Sequence, residues 1–282
     1  MSQPSSAPIG PGSLTWQHFG DMRELLLFGR VGTLQNMHPA VGRALQDHSN
    51  FFNDPSDRLV RSLPPILGVV YDAPGDGTGG EVRDFHRDIK GTHADGARYH
   101  ALDPEVFWWT HATFIELIIA TQGFFGTPLT EDEKDQLVRE GVTWWRRYGL
   151  SDRPVIDNYS DFSAYWNEML ETVLERNVTT DWAFEVDPRT LPAFPGVPGP
   201  LWWIIRRPAL RANLWLTNAT LPPRARQTLG LEWHRRDELA FRVFARSVRT
   251  TWPLLPEIVR IHPRARQGMK RPQQESETAR AA

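Results

Sequence analysis

The stretch Asp103-Pro104-Glu105-Val106-Phe107-Trp108-Trp109-Thr110-His111-Ala112-Thr113-Phe114-Ile115-Glu116-Leu117-Ile118-Ile119-Ala120 decides the fold. Asp103 is a good N-cap, Pro104 suits the first helical position, and Glu105 places an acid against the helix N-terminus. The apolar run that follows ends near Gly123 and Gly126, with Pro128 beyond. Phe107, Trp108, His111, Phe114, Ile115 and Ile118 recur at helical spacing on one face. The opposite face, with Trp109, Ile119 and Ala120, is scarcely more polar. A helix that is apolar all round belongs at the centre of its fold, so His111 is expected deep in the core.

Outward from that helix the signals remain helical. Thr130-Glu131-Asp132-Glu133 is a capping box opening a second helix that ends near Tyr148-Gly149. Ser160 can cap a third, running through Trp166 and Leu170 to about Arg176, and 232–250 reads as another. Upstream, 22–31 and 38–48 are expected to be helical, with Pro39 in a first turn. Gly68-Val69-Val70-Tyr71 is a short strand candidate. Many prolines interrupt 190–224 around Leu201-Trp202-Trp203-Ile204-Ile205-Arg206-Arg207. That segment reads as a buried connection, or as an interfacial stretch that touches a membrane or partner. The polar residues 1–13 and 264–282 read as disordered tails. The expectation is one mainly α domain over 14–263, with little or no β structure.

Composition narrows the chemistry. The 282 residues contain no cysteine, which excludes disulfides, thiolate zinc sites, iron–sulfur clusters, thiolate-ligated haem and covalently attached haem. The net charge of −2 gives no overall positive field to recruit nucleic acid or an acidic membrane. No apolar run reaches the roughly 18–20 residues of a membrane span. The N-terminus lacks the basic and apolar regions of a signal peptide, so the expected compartment is cytoplasmic. Twelve Trp and fourteen Phe suit either an apolar cavity or a plain core.

A second histidine invites comparison with the first. From Glu81 to Lys90, with Gly91 as a C-terminal cap, Val82, Phe85, His86 and Ile89 form a helical stripe that turns His86 inward. Arg83 lies one turn before it, and Arg87 and Lys90 flank the stripe. A neutral imidazole in an apolar core needs a partner. A backbone carbonyl is one; a metal, haem iron in particular, is another. Other patterns are weaker. Gly75-Asp76-Gly77-Thr78-Gly79-Gly80 lacks the βαβ context of a dinucleotide loop and reads as a flexible loop. Glu116, Glu140 and Glu168 lie on successive helices, yet the Glu-x-x-His pairs of a di-iron bundle are missing. His38 and His48 read as helix-boundary residues.

The chain resembles the catalytic domain shared by latex-clearing proteins (rubber oxygenases) and MpaB-type oxygenases over roughly 20–265. Arg83-Asp84-Phe85-His86-Arg87-Asp88-Ile89-Lys90-Gly91 and Trp109-Thr110-His111-Ala112-Thr113 carry the resemblance most specifically. Met37-His38-Pro39-Ala40-Val41, Asp47-His48-Ser49, Tyr99-His100-Ala101 and Leu221-Pro222-Pro223 support it. The resemblance implies an all-helical protein that binds haem b and uses dioxygen on a hydrophobic substrate, with an electron donor where one is required. It makes His111 the axial iron ligand, beside Trp108 in an aromatic cavity. The rubber oxygenases carry a distal arginine and, three residues later, a lysine; those positions are Arg83 and His86 here. Imidazole in place of lysine puts rubber cleavage itself in question. His86 then serves as a distal donor, or ligates iron as a second axial histidine in an electron-transfer or gas- or redox-sensing protein. Arg87, Lys90, Arg206 and Arg207 are candidate partners for haem propionates on charge alone.

Overall fold

The computed structural model describes residues 3–73, 75–93 and 95–271. The elements are α1 (Leu14–His18), a 3-10 turn (Met22–Leu27), α2 (Phe28–Asn36), α3 (Pro39–His48), α4 (Pro55–Tyr71) and α5 (Thr78–Asp84). A two-stranded antiparallel sheet, β1 (Lys90–Thr92) and β2 (Arg98–His100), follows, then α6 (Pro104–Phe125), α7 (Glu131–Arg146) and α8 (Tyr159–Glu168). After a π-helical turn (Met169–Val173) come α9 (Val178–Glu185), α10 (Gly199–Thr220), α11 (Pro223–Leu229), α12 (Arg235–Thr251) and α13 (Glu257–Arg260). The class is mainly α.

The predicted central helix is α6. The Asp103 side chain accepts from Glu105 N, and Gly126 follows as the C-cap. Trp108, Trp109, Ala112 and Ile118 are fully buried on different sides of it. α2, α7, α12 and the 3-10 turn pack around it. The Thr130–Glu133 capping box of α7 is present as read. His38 caps α3, its Nδ1 accepting from Ala40 N at 3.2 Å.

Several local expectations fail for tertiary reasons. Gly68–Tyr71 is not a strand but the last turn of α4, where Val69, Val70 and Tyr71 are buried. Burial on a core-facing helix overrides their β propensity. The helix predicted over 81–90 stops at Asp84; the chain turns and enters β1. Phe85, placed on the inward stripe, is 64% exposed. Gly91 is a strand residue rather than a cap, paired with Tyr99, and a Cβ on it would overlap the Tyr99 ring. The reading of 22–31 as one helix becomes the 3-10 turn and α2.

The expected tails are packed where they are described. Ala7 N donates to Arg139 O at 3.1 Å, and Thr143 Oγ1 donates to Ala7 O at 2.6 Å, so the N-terminal strap runs along α7. Residues 263–271 are helical, Ala265 is fully buried, and Arg264 Nε donates to Asp72 Oδ1 at 2.8 Å. Residues 272–282 of the expected C-terminal tail lie outside the described residues. Leu201–Arg207 opens α10 and is only partly buried.

Candidate functional site

His111 sits at mid-length on α6 with 1% of its surface exposed. Its Nε2 lies 3.0 Å from Gly141 O on α7. A carbonyl only accepts, so Nε2 carries the proton and Nδ1 bears the lone pair. Gly141 permits this approach, because a Cβ there would overlap the Ile115 side chain. Burial lowers the His111 pKa to about 3 although the carbonyl works the other way, so the ring is neutral at physiological pH.

Aromatic rings surround the imidazole. Centroids of Trp108, Trp144, Trp145 and Tyr148 lie 5.3, 4.9, 5.7 and 5.7 Å away. Among the described residues His111 Nδ1 has no hydrogen-bond partner, and neither do Trp108 Nε1 and Trp145 Nε1. Buried groups left unpaired in this way each cost about 1–3 kcal/mol.

The remaining expected residues lie elsewhere. Arg83 Nε donates to Asp84 Oδ1 at 2.8 Å, and its Nη1 reaches Tyr148 O at 3.4 Å. His86 Nδ1 lies 2.8 Å from Val82 O and donates to it, holding the ring over the end of α5. Arg87 pairs with Asp84 at 2.9 Å, and Lys90 is exposed on β1. His86 and His111 do not meet. Phe107 and Tyr148 stand between them, with centroid steps of 5.4 Å from His86 to Phe107, 5.1 Å to Tyr148 and 5.7 Å to His111. The structure thus joins His111 to Trp108 and puts Arg83, His86, Arg87 and Lys90 on the outer side of an aromatic layer. Arg206 is committed to the Arg189 carbonyl and stacks on Trp203.

An axial imidazole needs one nitrogen open to iron and the other held by a carbonyl or carboxylate. His111 fits in both respects. Its surroundings are tighter than the expected cavity, because the aromatic side chains fill the space themselves. A macrocycle bound at Nδ1 would require one of these rings to move.

Buried acids form features the sequence did not announce. Glu140 accepts from Leu14 N at 3.0 Å, Thr15 N at 2.7 Å and Gln136 Nε2 at 2.7 Å, which fixes α1 on α7. Glu116 pairs with Arg30 at 2.5 Å, and burial raises its carboxyl to about 7. Both carboxyl groups are engaged by donors of the protein itself. A shallow, open-sided cleft lies between the 3-10 turn, α4 and α6, lined by Phe19, Leu63, Leu67, Phe114, Glu24 and His262 among others. Its inner wall touches the His111 cluster: Phe114 stacks on Trp144 at 6.0 Å, and Phe19 meets Trp144 at 4.4 Å.

A profile described as ER-bound oxygenase mpaB/B'/rubber oxygenase, catalytic domain, matches residues 16–250. The chain belongs to this family. No curated protein and no solved structure matches it. Membership in this oxygenase family covers α1 to α12 almost entirely, so the His111 cluster and the aromatic layer both fall inside the catalytic domain.

Proposed function

We propose that the protein is a haem-dependent oxygenase of an apolar compound and that His111 is its iron ligand. The unpaired Nδ1 of a neutral, buried imidazole, in a chain of this oxygenase family, carries the reading. Bound there, iron protoporphyrin would supply the dioxygen chemistry that no side chain of the protein provides. The Gly141 carbonyl holds the Nε2 proton, which orients the ring and raises the basicity of Nδ1. Trp108, Trp144, Trp145 and Tyr148 keep water from the imidazole, and their rings would have to turn to admit the cofactor. Phe19, Phe114 and Leu67 give an apolar compound a surface one tryptophan away from His111. In this reading Arg83 and His86, beyond Phe107, meet an anionic group at the outer edge of the layer. Arg87 and Lys90 lie on that outer side and suit carboxylate partners. Phe107 and Tyr148 stand between His86 and His111, so ligation by both histidines would require these rings to turn as well.

Titration of the purified protein with haem tests the proposal. A Soret band that saturates near one equivalent is expected, together with a change in near-ultraviolet circular dichroism as the tryptophan rings move. His111→Ala is expected to lose the saturable band, while His86→Ala keeps it. Wild-type protein that develops no saturable band, or His111→Ala binding haem as tightly as wild type, overturns the assignment.

A further inference from the structure

The net charge of −2 hides a division along the chain. Residues 199–282 carry 16 Lys and Arg against 6 Asp and Glu, while residues 1–198 carry 16 against 28. α10, which opens the basic part, has three arginines and no acid in its 22 residues. Its first half stands partly clear of the protein. Leu201 is 47% exposed, Trp203 67% and Ile204 75%.

Helical spacing puts Trp203, Ile204, Arg207 and Arg211 within about 100° of arc on one face. All four are exposed. Apolar tips thus lead, with guanidinium groups one and two turns behind them. A stray surface leucine needs no explanation, but a tryptophan and an isoleucine side by side, on a helix whose only charged residues are arginines, mark a docking surface. α12 packs against the second half of the same helix through Trp215, Phe241 and Phe244. Its own solvent face shows Arg235, Arg236, Arg242 and Arg246 around Leu239 and Val243, all exposed.

We propose that the start of α10 docks the protein onto an anionic lipid surface, Trp203 and Ile204 entering the headgroup boundary while Arg207 and Arg211 pair with lipid phosphates. Charge complementarity favours a membrane, and the amphipathic arrangement matches helices that lie in the interface plane. Trp with its mixed polar and apolar character suits that boundary, and arginine stems extend along apolar surface to keep their charge at the phosphates. This is surface attachment: among the described residues no helix is long and apolar enough to cross a membrane. The inference stands independently of haem binding.

Co-sedimentation of the full chain with vesicles tests it. Vesicles rich in phosphatidylglycerol should retain the protein about tenfold more tightly than pure phosphatidylcholine, with affinity falling as salt rises. Trp203→Ser with Ile204→Ser should lose about tenfold on anionic vesicles, with helix content unchanged and at most a small drop in melting midpoint from the lost stacking of Arg206 on Trp203. Failure to bind either vesicle at low salt overturns the proposal. So does a double variant that binds as tightly as wild type, since the basic surface would then be attracting any polyanion, nucleic acid included.

Discussion

Replacing His111 with glutamine separates the protonation of this imidazole from the rest of the acid response. Burial holds its pKa at about 3 against an ordinary value of 6.5, so between those limits the unfolded chain takes up a proton that the folded protein refuses. The stability contributed by the neutral ring is whole above pH 6.5 and is lost as the pH falls through the window towards 3. At about 1.4 kcal/mol per pH unit, acidification from about pH 7.5 to about pH 5 removes about 2 kcal/mol through this residue alone. Glutamine keeps an N–H for the Gly141 carbonyl but does not titrate. Burial also lowers His18, His38 and His262, but these are shared by both chains and cancel in the difference. Urea unfolding followed by helix ellipticity at the two pH values measures the effect. Wild type should lose about 2 kcal/mol more than His111→Gln across the interval. Parallel losses in the two proteins would refute a neutral, proton-excluding imidazole, and with it the geometry from which iron ligation is argued.

Two further substitutions probe the supports of the site. Gly141→Ala puts a methyl into the Ile115 side chain at the place where α7 hands its carbonyl to His111. It should cost about 1–3 kcal/mol in chemical unfolding and weaken haem binding; an unchanged unfolding midpoint would contradict the close approach. Glu140→Ala leaves the buried Leu14 and Thr15 N–H groups without acceptors. A loss of about 2–4 kcal/mol is expected, with earlier proteolysis of the N-terminal strap, and a loss below about 0.5 kcal/mol would remove Glu140 from the interface.

The features legible in the sequence are those where local chemistry and global packing agree. Asp103 and the Thr130–Glu133 box carry their own hydrogen bonding and Pro104 its fixed φ, so the starts of α6 and α7 can be read without knowing anything else. The stripe through Phe85 and His86 misled because periodicity describes which residues share a face only while the helix lasts. α5 ends at Asp84, and the pairing of Lys90 with His100 across the following turn is a contact no spacing announces. Whole-chain charge says little about local charge, since the acidic excess of 1–198 offsets the basic excess of 199–282. The burial of Arg30 and Glu140 gave no warning because a charged residue in a sequence looks the same whether solvent or a hydrogen-bond partner in the protein receives it.

The amino-acid order alone required a core helix around His111, since an element apolar on every side can only be enclosed by others. It also dictated a neutral ring there, because the core offers no water to a charge. Which nitrogen stays open was settled 30 residues away, by the Gly141 carbonyl on α7. The separation of His86 from His111 was likewise a matter of which rings α6 and α7 bring between them. Helical spacing fixes the direction of a side chain; what it meets in that direction depends on how distant elements pack.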